Sequence, residues 1–201
     1  MNLHFEEACH RYTIDGREKP SVTQVLEAAG LVDLSGIDQE VLRCAADRGT
    51  KVHRAGSLLL RGNLDWASIS DSIGGYVIAL ESFLRQSGFT ADPERIERPL
   101  YSAEHGYCGT PDVVGVYHYG RRATQKVLAV ADWKTGMMTA VRYQLAAYAR
   151  MLGVRHRIAV KLNADGTYRM QWFQPESLPQ DFRVFLQALK EHPLAPKGAK
   201  A

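Results

Sequence analysis

Over the first ninety residues apolar positions mostly recur at helical spacing, and from about residue 95 the pattern changes to a period of two. Residues 3 to 14 are the early exception. They predict a hairpin with Arg11-Tyr12-Thr13-Ile14 as its second strand and Asp15-Gly16 as the turn that follows. Pro20-Ser21-Val22-Thr23-Gln24 opens a helix to residue 29, with Ser21 as N-cap, Gln24 as its capping-box partner and Gly30 as the stop. A longer helix is predicted over 38–61, with Val41, Leu42, Ala45, Val52 and Leu58 to Leu60 as its apolar positions. Gly49 inside it costs about 1 kcal/mol relative to alanine, which predicts close packing there or a break. Residues 63–72 read as a connection, and a third helix is predicted over 75–86, ending at Gly88.

Strands are predicted over 95–101, 109–117 and 126–134, the last two joined by a polar turn that holds Arg121 and Arg122. An alanine-rich helix follows over 140–152, ending at Gly153. Residues 157–162 and 168–173 predict a hairpin around Asp165-Gly166. An amphipathic helix over 178–192 and a frayed tail over 193–201 complete the chain. Helices, three antiparallel strands, a helix and two more strands predict an α/β core, not a βαβα series.

Composition changes this picture little. The 201 residues, 45% hydrophobic and 23% charged, suit one domain with a substantial core. Its expected parts are a hairpin and helical lead-in (1–90), a core (91–175), a C-terminal helix (176–192) and a flexible tail (193–201). A net charge of +3 is compatible with nucleic acid without being diagnostic. The start, Met1-Asn2-Leu3-His4-Phe5, lacks the basic and apolar regions of a signal peptide, and no apolar run approaches membrane-spanning length. Cys9, Cys44 and Cys108 are scattered and form no CxxC pair, which points to neither a disulfide framework nor a thiolate zinc site. A soluble, cytoplasmic protein is the expectation.

The chemistry concentrates between residues 108 and 148. Asp132-Trp133-Lys134 ends the apolar run Val127-Leu128-Ala129-Val130-Ala131, so Asp132 and Lys134 project from one face of a buried strand. Unpaired charge there is expensive. A divalent cation shared by Asp132 and Asp112, on the neighbouring strand after Gly109-Thr110-Pro111, would offset it. Mg²⁺ takes one or two carboxylates plus water and phosphate oxygens, and the Trp133 carbonyl could add another oxygen. Metal binding acidifies a ligand water, and Lys134 could orient that water and stabilise developing negative charge.

Gln144 and Tyr148, four apart on the next helix, share a face. They either reach water, phosphate or a base, or are an ordinary surface Gln and a partly buried Tyr. His53 is either a nitrogen ligand or phosphate contact, or an ordinary helix histidine. Glu97 either completes the metal shell or holds Lys134, or else pairs with Arg95, Arg98 or a lysine of the next strand. Lys51, Arg54, Arg61, Arg121 and Arg122 are either phosphate-backbone contacts or a solvated face.

Taken together, Arg48-Gly49-x-x-x-His53, Glu97-Arg98-Pro99-Leu100, Gly109-Thr110-Pro111-Asp112, Asp132-Trp133-Lys134-Thr135-Gly136 and Gln144-x-x-x-Tyr148 resemble the PD-(D/E)XK nuclease superfamily. The resemblance is to its RecB-like exonuclease branch and the small stand-alone nucleases of phages and bacteria. Tyr12-Thr13-Ile14-Asp15-Gly16 and Pro20-Ser21-Val22-Thr23 add an N-terminal hairpin and helix of the same type, and the matching pieces span most of residues 10 to 150. The resemblance implies a restriction-endonuclease-like αβββαβ core with a mixed central sheet. It also implies Asp112 and Asp132 as metal ligands, His53 as a further ligand, Lys134 as the catalytic lysine, and Gln144 and Tyr148 as helix positions near DNA or Lys134. Glu97 varies in role among relatives. The implied activity is Mg²⁺- or Mn²⁺-dependent hydrolysis of DNA, exonuclease in preference to endonuclease, in recombination, repair or phage DNA metabolism within a bacterial or phage-infected cell. Implied partners are DNA and a recombinase, single-strand-binding protein or helicase, with an oligomeric ring as one route to processivity. Some relatives hold an iron–sulfur cluster on four cysteines, three near the C-terminus, but this chain has no cysteine after Cys108 and none is expected. The competing reading is a nucleic-acid-binding or assembly subunit on a nuclease fold that does not cleave.

Overall fold

The computed structural model describes residues 1–6, 9–32 and 36–195; residues 196–201 of the predicted tail lie outside these. The chain opens on an antiparallel meander, β1 (Leu3–Glu6), β2 (Arg11–Ile14) and β3 (Arg17–Lys19), one strand more than the predicted hairpin. Helices α1 (Val22–Ala28), α2 (Gln39–Leu60) and α3 (Asp71–Gln86) follow. Ser21 caps α1 through the expected capping box with Gln24. Asp38 caps α2 by accepting from the N–H groups of Glu40 and Val41. A 3₁₀ turn, Trp66–Ser68, occupies the predicted connection, and α3 begins four residues ahead of expectation.

The second half supplies β4 (Phe89–Ile96), β5 (Leu100–Ser102), β6 (Tyr107–Gly109), β7 (Val113–Tyr119), β8 (Gln125–Lys134), α4 (Val141–Leu152), β9 (His156–Leu162), β10 (Tyr168–Phe173) and α5 (Leu178–Glu191). Five of the strands form a mixed sheet in the order β10-β9-β8-β7-β4, parallel only between β8 and β9, which α4 connects. One face, with Val114, Val130 and Ala159, packs under α1, α4 and α5. The other, with Ala131, Trp133, Ile158 and Val160, packs under α2 and α3. The protein is therefore a mixed α/β fold with a five-stranded central sheet between two helical layers. No helix among the described residues is long and apolar enough to cross a membrane.

Two predicted strands divide differently. The first begins at Phe89 and stops at Ile96 because Glu97 turns the chain at φ 47, and Pro99 cannot donate to a ladder. Leu100–Ser102 pairs with Tyr107–Gly109 in a separate ribbon, so the predicted strand over 109–117 is cut at Thr110-Pro111-Asp112. Pro93 lies within β4, which the sequence reading left out. It is tolerated because β4 is an edge strand whose register shifts between Ala91 and Ile96.

The close approach expected at Gly49 occurs elsewhere on α2. Space around Gly49 is open, whereas a Cβ on Gly56 would lie 2.8 Å from Leu80 Cδ2 and 3.1 Å from the Trp133 ring. Gly56 thus lets α2 settle onto α3 and the sheet at once.

A buried ion pair fixes the opposite layer. Arg157 on β9, fully buried, reaches Asp181 Oδ2 on α5 at 2.8 Å, the Arg142 carbonyl at 3.1 Å and Ser177 Oγ at 2.6 Å. Arg142 of α4 holds the second Asp181 oxygen through Nε at 2.8 Å. Asp181→Ala leaves the buried guanidinium without its counter-ion and should lower stability by about 3–5 kcal/mol, read from urea unfolding. A loss below about 1 kcal/mol would contradict this role.

Candidate active site

The site forms where β7 stops short of β8. Pro111 has no N–H to offer, and β7 begins only at Val113, paired with Ala131. β8 runs on to Lys134, so the backbone of Trp133 has no β7 residue opposite it. The Asp112 side chain fills that place: its Oδ2 accepts the Trp133 N–H at 2.8 Å. Its main-chain carbonyl meanwhile accepts the Glu97 N–H at 2.9 Å, tying the positive-φ turn of Glu97 to the site. The N–H and carbonyl of one strand residue face the same neighbour, so the Trp133 carbonyl also looks toward Asp112.

Asp132 is 1% exposed and Asp112 5%. Lys134 Nζ lies 2.7 Å from Asp132 Oδ2, a charge-assisted pair at the buried end of β8. Burial pushes the Asp132 carboxyl above its usual range; Lys134 opposes the rise and Asp112 adds to it. Burial by itself would lower the Lys134 ammonium, but Asp132 and Asp112 outweigh it and hold the lysine charged.

His53 comes from α2, one turn before the Gly56 contact, and its ring lies 6.0 Å from that of Trp133. Its Nδ1 is 2.9 Å from Asp112 Oδ1. Burial acts against the imidazolium, but the charge and hydrogen bond of Asp112 prevail and its pKa rises.

Gln144 and Tyr148 on α4 meet each other: Gln144 Nε2 donates to the Tyr148 hydroxyl at 3.2 Å. Tyr148 is 3% exposed, leaving its ring no face for a base. Burial raises its hydroxyl well above the usual range, and the Asp132 charge adds to this. A Cβ on Gly109 would lie 2.6 Å from Tyr148 Cε1, so only glycine lets the strand before Asp112 pass this ring. Sequence reasoning gave Tyr12 and Thr110 no role. Tyr12, fully buried in the meander, meets Thr110 Oγ1 at 2.8 Å and so anchors the segment leading into Asp112. The alternation of Tyr12 with Ile14 signalled burial, but nothing local signalled a partner 98 residues away.

Among the described residues no group of three or more His, Cys, Asp or Glu side chains is gathered as a metal site. Groups here that could hold a hard cation include the Asp112 and Asp132 carboxylates and the Trp133 carbonyl, and the other expected ligands, His53 and Glu97, lie beside Asp112. The predicted basic contacts disperse. Lys51 is exposed and paired with Asp47 at 2.7 Å, and Arg54 is exposed on α2. Arg61 donates to the Ile96 carbonyl at 3.0 Å. Arg121 lies at the far end of the β7–β8 pair, about 20 Å from Asp112 at strand rise. The Arg122 side chain is outside what the structure describes.

No family model matches the chain, and no curated protein does. Among solved structures, the crystal structure of LHK-Exo in complex with dAMP aligns over 86% of this chain and 87% of its own, at TM-score 0.44 and 12% identity. The crystal structure of SSO0001 aligns over 81% and 84%, at TM-score 0.33 and 14% identity. Superpositions this loose carry no argument about function.

The His53–Asp112 pair gives a sign that can be checked without metal. A raised folded-state pKa means that the protonated pair adds stability below the unfolded histidine value near 6.5, and that this is lost as pH rises through the folded value. An NMR titration of His53 should give a midpoint above 6.5, and Asp112→Asn should lower it, because burial and the Lys134 charge then oppose only the weaker pull of Asp132. An unchanged midpoint in Asp112→Asn would exclude the pairing.

Proposed function

We propose that the protein is a Mg²⁺- or Mn²⁺-dependent nuclease that hydrolyses phosphodiester bonds in DNA, an exonuclease acting in recombination, repair or phage DNA metabolism. One observation carries the reading: two buried carboxylates and a lysine converge at the ends of neighbouring strands. The five-stranded mixed sheet between two helical layers supports it, being compatible with the restriction-endonuclease-like fold that the resemblance implies.

Asp112, Asp132 and the Trp133 carbonyl are the groups to hold the ion. That ion supplies charge neutralisation at the phosphate and an acidified water. The Trp133 N–H bond keeps the Asp112 carboxylate in place, so the second carboxylate arrives preorganised. Lys134 stays protonated beside Asp132 and can orient the attacking water or donate to the developing phosphorane oxygens. His53 holds the outer oxygen of Asp112 and shields that flank with its ring. The preference for exonuclease action follows from the resemblance alone.

The test is cleavage of linear and closed circular DNA with Mg²⁺ or Mn²⁺. Linear DNA should be degraded and circular DNA spared. Lys134→Ala should cost about 10²–10³-fold in rate, and Asp132→Asn should abolish cleavage. DNA binding without cleavage under either metal, surviving both substitutions, would favour a non-cleaving binding subunit.

A further inference from the structure

Beyond the site, the sheet carries a second run of positive charge. β8 and β9 pair Lys134 with Lys161, and β9 and β10 pair Lys161 with Arg169. Residues in register project to the same face, so these three form one row, each about 5 Å from the next. The row leads from the Asp132–Lys134 pair into an open cavity of ≈ 510 Å³. Gly136, Met137 and Met138 line one side of it, and Arg169, Met170 and Gln171 the other, with Lys161 between.

Three features make this cavity suited to an anion. Among the described residues, neither Lys161 nor Arg169 forms an ion pair. Arg48 of α2 likewise has none; it lies over the Tyr76 ring at 5.5 Å, and its buried Nε has no hydrogen-bond partner. Lys161 donates to the carbonyls of Thr135, at 2.9 Å, and Gly136, which leaves one of its three N–H groups free. Burial and the nearby charge of Arg48 hold the Lys161 ammonium below its ordinary pKa, as expected where cations crowd without an acid between them. The opposing wall is apolar: Met137 is 50% exposed, and its thioether suits the face or edge of a base.

We propose that this groove binds the nucleotide next to the scissile phosphate, with Lys161 and Arg169 taking its phosphodiester and Met137 and Met138 covering its base. The inference rests on Asp112, Asp132 and Lys134 being the cleavage site. The cavity matches the size of about one nucleotide, so the occupant proposed is a single strand of DNA. Lys161 would serve twice, since its bonds to Thr135 and Gly136 also fix the loop that leaves Lys134.

Arg169 is the residue to change, because it is exposed and, among the described residues, forms no ion pair. Binding of a labelled single-stranded oligonucleotide would be followed by fluorescence anisotropy in the Asp132→Asn background, across a salt series. Arg169→Glu should weaken binding about tenfold and lower the salt slope by about 0.7, the loss of one phosphate contact. Lys161→Met should act in the same direction. Arg155→Glu is the control: also exposed, it lies at the other end of β9, about 20 Å from Lys161. Equal weakening by Arg155→Glu, or no weakening by Arg169→Glu and Lys161→Met, would overturn the groove. Metal-dependent cleavage by the wild type is scored separately. If it is absent while the groove variants still weaken binding, the nuclease reading fails and the groove stands; if it is present while they bind normally, the reverse holds.

Discussion

The bond from the Trp133 N–H to Asp112 is the constraint on which the site depends. β7 ends early because Pro111 cannot extend the ladder, and β8 continues to Lys134. The side chain of Asp112 therefore takes a backbone donor that would otherwise be buried without a partner. This satisfies the ladder and places a carboxylate beside the Asp132-Trp133-Lys134 strand end. Thr110, held by Tyr12, and Gly109, passing under Tyr148, fix the approach of the segment from the other side.

Around that bond every buried charge faces another. Asp112 is met by His53, Asp132 by Lys134, and, a layer away, Arg157 by Asp181. The two kinds of pair differ in their surroundings. Arg157 and Asp181 share further bonds with Arg142 and Ser177 and make a closed scaffold network, though Arg157 Nε stays without a partner. At the site, Lys134 meets buried Asp132 at 2.7 Å while itself keeping 24% exposure, so that pair opens toward solvent.

Much of this was legible in the sequence, because the signals were local. The Ser21–Gln24 capping box, the apolar β8 run ending in Asp132 and Lys134, and the alanine-rich α4 each carry their own periodicity or cap. What failed depended on distant partners. Pro93 masked the start of β4, because its tolerance comes from an edge position and a register shift that only the sheet defines. Glu97 at positive φ divided a strand that its neighbours' alternation had joined. Gly49 drew attention that belonged to Gly56, since helical spacing alone does not say which turn meets Trp133. Among candidate site residues, Asp112, Asp132, Lys134 and His53 come together, while Arg121 does not, for charge pattern along a chain carries no information about which end of a hairpin it will occupy. Lys161 and Arg169 were missed for the same reason: their relation to Lys134 exists only through strand register.

The central claim is that Asp112 and Asp132 form one cation site. Electron paramagnetic resonance of Mn²⁺ titrated into the wild type, Asp112→Asn and Asp132→Asn tests it most directly, because it reads bound metal without requiring DNA or turnover. The account predicts loss of the free Mn²⁺ signal with about one ion bound per chain in the wild type, and at least tenfold weaker binding in either variant. Equal Mn²⁺ binding by all three proteins, or none by the wild type, would contradict it.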